Sequence, residues 1–391
     1  MMFMVVVLIA SGASGNRFND EAPQVHVFYY LWYAAKDGKY IHWDHSVLPH
    51  WDTRVREKYR DMENKRYNPP EELHSVYYPL LGPYSSADEK TVDQHFAWMK
   101  QYEIDAAVLS WTGRQVLSDT QGVKTDDVFP FAIAAAQRYN IKIAVHLEPY
   151  HGRSPKSIKE DIRYLKERYG DSLIYKNGLP LIYIYDAYHS SSEEWHQLLC
   201  HDGNATIRND PTTDVYALAT ILERNELFHL AECFDGIYTY FATDGFTFGA
   251  TSENWAYLKQ FAHQKNKILS ISLGPGYNDT KIRPWNSIAT RDRRQGAYFQ
   301  AQLNKAIAAD PDIISITSFN EWGEGTQIEP AQPYPHHLPG YDFLLKEEKD
   351  HQEAVSNNDP FLYLELLRKA KRSWKEQRRR LFLRTNLRDE V

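Results

Sequence analysis

Two carboxylates near the carboxyl-terminal third, Glu321 and Glu324, are the side chains of this sequence best placed to do chemistry. They follow the run Ile313-Ile-Ser-Ile-Thr-Ser-Phe-Asn320 and sit in Glu321-Trp-Gly-Glu-Gly325, flanked by an amide, an indole and two glycines. The β-branched residues favour an extended strand that stops at Asn320. Gly323 and Gly325 are expected to supply the backbone angles that fold the chain sharply after Trp322. Three residues span at most about 10 Å, so both carboxyl groups can face one small volume. A pair of acids roughly 5 to 9.5 Å apart suits proton transfer to and from a glycosidic oxygen. One of them must then hold its proton near neutral pH, which burial and the other's charge both promote. The plainer alternative is a salt-bridged pair at the rim of a barrel.

Such a pair needs a rigid strand end. Apolar runs rich in Val, Ile and Tyr predict strands at 25–32, 105–111, 141–148, 180–186, 214–221, 235–241, 268–274 and 312–320. Helical periodicity separates most of them, at 88–103, 126–139, 155–169, 190–200, 252–265 and 292–309. Eight alternating units imply a parallel sheet closed into a (β/α)8 TIM barrel, a single α/β domain with long βα loops and a terminal helix at about 361–381. Such barrels carry chemistry at the carboxyl ends of their strands. Here those ends hold Tyr30 and Trp32, Trp111, Glu148, Asp186, Glu223, Tyr238 and Tyr240, Tyr277, and Asn320 with Glu321. The loop from Tyr33 to Ser86 is rich in Trp and Tyr, and is expected to be ordered as a wall of the cleft.

Each remaining candidate has two readings. Glu148, before Pro149, either binds a sugar hydroxyl or pairs with an arginine. Asp186 is expected to cap the segment that follows it. Arg283 offers a rigid fork for hydroxyls or carboxylates, or is a surface residue. The densest histidine group, His42, His45 and His50, invites a metal, yet the first strand ends in Phe28-Tyr-Tyr-Leu-Trp32 rather than in histidines, so no catalytic metal or other cofactor is expected. Gly274-Pro-Gly276 lacks the spacing and lysine of a phosphate loop, and no serine lies in a nucleophile elbow.

Composition agrees with a folded enzyme and excludes other classes. The 391 residues are 42% apolar, enough for a sizeable core. A net charge of -7 argues against a nucleic-acid partner. Aromatic residues make up 14% of the chain, including 27 Tyr and 10 Trp, which suits stacking on sugar faces as well as core packing. Cys200 and Cys233 leave one bridge open and form no disulfide framework. Residues 1–20 read as a signal-like or truncated anchor segment, too short to span a bilayer, ahead of a catalytic domain at 21–391. The triplets Asn204-Ala-Thr206 and Asn278-Asp-Thr280 are glycosylation acceptors compatible with a lumenal or secreted life.

Ordered motifs from about residue 25 to 370 resemble the glycoprotein endo-α-1,2-mannosidase family, glycoside hydrolase family 99. They include Asp37-Gly-Lys-Tyr-Ile-His-Trp43, Leu109-Ser-Trp111, Glu148-Pro-Tyr150, Phe234-Asp-Gly-Ile-Tyr-Thr-Tyr-Phe241, Gly274-Pro-Gly-Tyr277, Ile282-Arg-Pro-Trp-Asn286 and Ser318-Phe-Asn-Glu-Trp322. The resemblance implies a Golgi enzyme, with secretion as the alternative. Its substrate would be a glucosylated high-mannose N-glycan on a glycoprotein, cut at an internal α-1,2-mannosidic bond with retention to release a glucose-mannose disaccharide. Glu324 would be general acid and then base, and Glu321 would deprotonate the substrate's own 2-hydroxyl, giving a 1,2-anhydro sugar. Glu148, Tyr240 and Arg283 would contact the flanking sugars, with Tyr30, Trp111 and Asn320 as neighbours. Any membrane association would run through the amino-terminal segment. The chain departs from the family at Thr112, where an aromatic residue is usual, and at Gly323, where a histidine is common. Two other functions compete: an endo-α-1,2-mannanase preferring unglucosylated mannan, and an inactive carbohydrate-binding barrel.

Overall fold

The computed structural model describes residues 22–114, 121–229, 232–333, 335, 337–338, 340–342 and 359–389. The signal-like segment 1–20 lies outside the described residues. The strands are β1 (Gln24–Tyr29), β2 (Ala106–Trp111), β3 (Lys142–Leu147), β4 (Tyr175–Lys176), β5 (Leu179–Ile184), β6 (Tyr216–Thr220), β7 (Gly236–Tyr238), β8 (Ile268–Leu273) and β9 (Ile313–Ile316). All except β4 are parallel and form a closed barrel, in which β3 pairs with β5 and β9 returns to β1 through Gln24↔Ile313. β4 is a two-residue antiparallel hairpin on the edge of β5, a feature that apolar periodicity did not signal.

Around the barrel lie α2 (Glu89–Gln101), α3 (Thr125–Tyr139), α4 (Pro155–Tyr169), α5 (Ser192–Leu199), the single turn α6 (Glu226–His229), α7 (Trp255–Gln264) and α8 (Ala297–Ala309), with a short α1 (Thr53–Lys58) in the first loop. Their starts are chemically marked. Ser154 caps α4 with Pro155 at its first position, and Ser191 with Glu194 forms a capping box on α5.

The barrel interior is aromatic. Phe28 packs on His146, Tyr183 and Tyr240 with ring centroids 4.7, 5.6 and 5.0 Å away. The polar atoms there find one another: His26 Nδ1 lies 2.9 Å from the Tyr183 hydroxyl, and His146 Nε2 2.9 Å from that of Tyr238. β7 and β9 are much shorter than the periodicity predicts. Beyond Ile316 the ladder becomes irregular: the Thr317 and Phe319 amides still donate to the Leu273 and Phe28 carbonyls, at 2.9 and 2.8 Å, while the Ser318 amide donates to the Thr326 carbonyl just past the two acids.

The terminal helix α9 (Leu362–Asp389) closes the opposite, amino-terminal end of the strands. Lys371 lies 2.6 Å from Asp105, which also accepts from the Val25 amide at 2.7 Å. Trp374 and Arg378 both donate to Asp310, at 3.0 and 2.7 Å. Arg378 is therefore a docking residue that ties α9 to the chain just before β9. Cys200 and Cys233 form a disulfide.

Burial drives the His26 pKa down from 6.5 to about 3. Its stabilising contribution is complete above the unfolded value and is lost as pH falls towards the folded one. Stability should drop by up to about 1.4 kcal/mol per pH unit from this residue below about pH 6.5. Urea titrations of wild type and His26→Gln at about pH 7 and about pH 5 check it: the variant should show the shallower pH dependence, and equal slopes would disprove the buried neutral imidazole.

Candidate active site

The segment after β9 is a compact turn. Gly325 N–H donates to the Trp322 carbonyl at 3.1 Å, and Gly325 takes a left-handed φ of 61°, where a side chain is strained. Ser318 Oγ accepts from the Glu321 amide at 2.7 Å. Gly323 lies outside the left-handed region, so only one of the two glycines serves the backbone as the sequence suggested.

This turn brings both acids to one cleft of about 280 Å³ at the carboxyl ends of the strands. Glu321 is 7% exposed. Its Oε1 accepts from the Glu324 amide at 3.2 Å, and its Oε2 is buried with no hydrogen-bond partner. Burial, and then the charge of Glu324, push its carboxyl up to about 8. Burial also raises Glu324, but Arg283 opposes the rise. The guanidinium Nη1 stands 3.2 Å from Glu324 Oε1 and 3.0 Å from Asp279 Oδ2. These charges place the pair's proton on Glu321 and the negative charge on Glu324.

Around the acids, Tyr30, Glu148 and Tyr240 line the cleft, as their strand-end positions suggested, and Arg283 lines it from the loop after β8, a placement implied by the family resemblance and not by its position in the sequence. The Tyr30 and Tyr240 hydroxyls share a short hydrogen bond. Tyr30 stacks on Trp32 at 4.4 Å, and Trp32 on His42 at 4.8 Å. Ser110 donates to Glu148 at 2.9 Å; His146 Nδ1 is as near, though not aligned for a hydrogen bond.

Two predicted neighbours lie elsewhere. Trp111 points outward from β2 because strand alternation gives the inward place to Ser110. Its indole is fully buried, donates to Asp126 at 2.9 Å and stacks near Tyr164. Asn320, also fully buried, is a strut: it accepts from the Tyr30 amide at 2.7 Å and donates to the Tyr30 carbonyl at 3.0 Å. Asp186 gives no side-chain cap to the turn that follows it, and lies 3.6 Å from His189 instead. Thr112 turns its hydroxyl to Thr125, 2.9 Å away.

Asp279, Glu329 and His74 were given no place in the site by the sequence, and His45 entered only as part of a histidine group. Asp279 is fully buried and gathers Tyr277, Arg283 and Asn286 on one oxygen, at 2.8, 3.0 and 3.0 Å. Its position between two recognised motifs was the available signal. Glu329 lies beneath the site and accepts from Tyr84, Trp322 and His95 at 2.7, 2.9 and 3.0 Å. From the long first loop, His45 and His74 reach the cleft beside His42, whereas Trp43 stands behind them. Their ring centroids are 6.1 Å apart from His42 to His45 and from His45 to His74. Among the described residues, one His/Cys/Asp/Glu group has metal-binding proximity, His196 with Cys200 and Cys233, and its sulfurs are bonded to each other.

A closed β/α barrel with one buried and one half-buried acid in the same strand-end cleft has the architecture of a glycoside hydrolase. The comparisons agree. The model of glycosyl hydrolase family 99 matches residues 21–372, and the chain belongs to that family. It is similar to the Homo sapiens glycoprotein endo-alpha-1,2-mannosidase-like protein, 42% identical over 355 residues that cover 88% of this chain and 74% of that one. The Rattus norvegicus glycoprotein endo-alpha-1,2-mannosidase is 39% identical over 363 residues, covering 90% and 75%. Among solved structures, the family 99 endo-alpha-mannosidase from Bacteroides thetaiotaomicron superposes with a TM-score of 0.77 at 32% identity, covering 92% of this chain and 98% of that one. The protein is a glycoside hydrolase.

Arg283 lowers the proton affinity of both acids. Arg283→Met should therefore move the alkaline limb of the kcat/KM profile upward by about one pH unit or more, besides reducing kcat/KM. An alkaline limb that stays in place would remove the guanidinium from the electrostatics of the pair.

Proposed function

We propose that this protein is a retaining endo-glycosidase that hydrolyses internal α-1,2-mannosidic bonds of glucosylated high-mannose N-glycans and releases a glucose-mannose disaccharide. The observation that carries the reading is that Glu321 and Glu324 line one cleft, with Glu321 Oε2 buried and lacking a partner there. In the first step Glu321, as carboxylate, takes the proton of the mannosyl 2-hydroxyl. That oxygen attacks C1 as the glycosidic bond breaks, and the leaving oxygen takes its proton from Glu324. The product is a 1,2-anhydro sugar. Water then attacks C1 and gives its proton to Glu324, while O2 recovers its proton from Glu321. Two inversions at C1 leave the configuration retained.

This assignment requires the proton to move from Glu321 to Glu324 when sugar binds, and hydrogen bonding provides the reason. A hydroxyl donating to Glu321 favours its charged form, and a glycosidic oxygen that accepts from Glu324 favours its protonated form. Glu148, Tyr240, Arg283 and Tyr30 are the groups we assign to sugar contact. The names of the relatives support mannose as the sugar at the cut.

Position 112, which the family resemblance places beside the outer sugar, favours a second reading there. Its small side chain is committed to Thr125, so position 112 offers no ring for stacking on an outer glucose. An endo-α-1,2-mannanase preferring mannose there is the form this reading takes. A secretory location, in the Golgi or outside the cell, is part of the proposal. The Cys200–Cys233 disulfide supports it, because such bonds persist in oxidising compartments.

Glu321→Gln and Glu324→Gln should each lower kcat by about 10² to 10⁴ while sparing much of the binding. Unchanged turnover in either variant would remove that residue from the mechanism. The kcat/KM profile should be bell-shaped, with activity lost as rising pH strips the shared proton near pH 8. Mass analysis of products from matched glucosylated and unglucosylated glycans decides the outer subsite: a glucose-mannose disaccharide released preferentially supports the leading reading, and reversed rates support the mannanase.

A further inference from the structure

Gly323 stands between the two acids, and its backbone conformation does not require glycine. Space does. A Cβ built there would lie 2.7 Å from His74 Nε2, 2.8 Å from His74 Cδ2 and 3.0 Å from Glu321 Oε1. Real Cβ atoms do not approach neighbours below 3.0 Å, so the His74 ring occupies the volume that a side chain at 323 would need. His74 is 3% exposed and lines the cleft from the loop between β1 and α2.

The tautomer of that ring is readable. His74 Nδ1 lies 3.3 Å from the Trp43 carbonyl oxygen. A carbonyl can only accept, so Nδ1 carries the hydrogen and Nε2 is left as an acceptor. Burial, with the nearby charges of His45, His42 and Lys281, holds the imidazole well below its ordinary pKa and keeps it neutral. Trp43 is a firm support, fully buried, stacked on Tyr33 at 4.3 Å and donating to the Tyr84 carbonyl at 2.7 Å.

We propose that His74 is a substrate-positioning residue, whose Nε2 accepts a hydrogen bond from the sugar hydroxyl vicinal to the one that Glu321 deprotonates. Gly323 is the space this imidazole needs. The inference rests on Glu321 as the base. Two neighbouring hydroxyls then have two distinct acceptors, one that takes the proton and one that only orients the ring. His45 is built alike, with Nδ1 2.7 Å from the Ser46 carbonyl, but its ring is not among the groups that crowd Gly323.

The test uses the full chain, one defined glycan and its analogue deoxygenated at the vicinal position, with a thermal melt for every variant. His74→Ala should lose about 10- to 100-fold in kcat/KM on the normal glycan and nothing further on the deoxy glycan. His74→Gln, which keeps an acceptor oxygen, should recover part of the loss. Gly323→His should be impaired by collision with His74, and the double variant His74→Gly with Gly323→His should regain most of the activity. Should His74→Ala fail to fold, the deoxy penalty in His74→Gln against wild type reads the same contact. His74→Ala within twofold of wild type, or equal deoxy penalties in both, overturns the inference while an inactive Glu321→Gln leaves the base assignment standing. An active Glu321→Gln would instead bring down the reading on which it rests.

Discussion

Two carboxyl groups three residues apart, one buried and the other half-buried, share one cleft with a single guanidinium, and burial disfavours charging both. That constraint organises the catalytic end of this barrel. Burial and mutual repulsion keep one proton on the pair, and Arg283 decides that it rests on Glu321, because the cation touches Glu324. The arrangement holds an acid and a base in one small volume with opposite protonation states, as two-step hydrolysis of a glycosidic bond demands. Asp279 completes it by accepting from the guanidinium and from the Tyr277 hydroxyl, so the cation is held between Asp279 and Glu324.

Such a turn must be rigid to be useful, and its rigidity comes from beneath. Asn320 clamps the ends of β9 and β1 together through both backbone groups of Tyr30. Glu329 ties Trp322, Tyr84 and His95 into one buried node. Tyr33 links the same parts, accepting from the Trp322 amide at 3.1 Å while donating to the Asn320 carbonyl at 2.9 Å. The long first loop is therefore structural as well as functional: its aromatic side chains buttress the acid turn from behind, and its imidazoles face the cleft. At the opposite end α9 stabilises the barrel floor through Lys371, Trp374 and Arg378, leaving the strand-end loops to the chemistry.

Much of this was legible from pattern. Alternation of short apolar strands with amphipathic helices specified a closed parallel barrel, since each strand hidden on both faces reads as a continuous apolar run. The strand ends pointed to Glu321, Glu324, Glu148, Tyr30 and Tyr240, all of which meet in one cleft. Trp111 shows where such reasoning fails. A residue at a strand terminus faces the cleft or the helices according to a parity set by the register with its neighbours, and the inward place belongs to Ser110. Asn320 fails differently, because an amide at the right height satisfied the backbone rather than the cleft.

Local chemistry, in short, was settled by the order of residues: which strands form, where they stop, that Gly325 must turn left-handed, and that two acids fall within one turn of chain. What only the folded chain decided was the company those acids keep. Arg283 against Glu324, Glu329 against Tyr84 and His95, and the ring of His74 in the space above Gly323 all arise from residues distant along the chain. Pairing of that kind carries no periodic trace, since it depends on which loops the barrel's closure brings over the same rim.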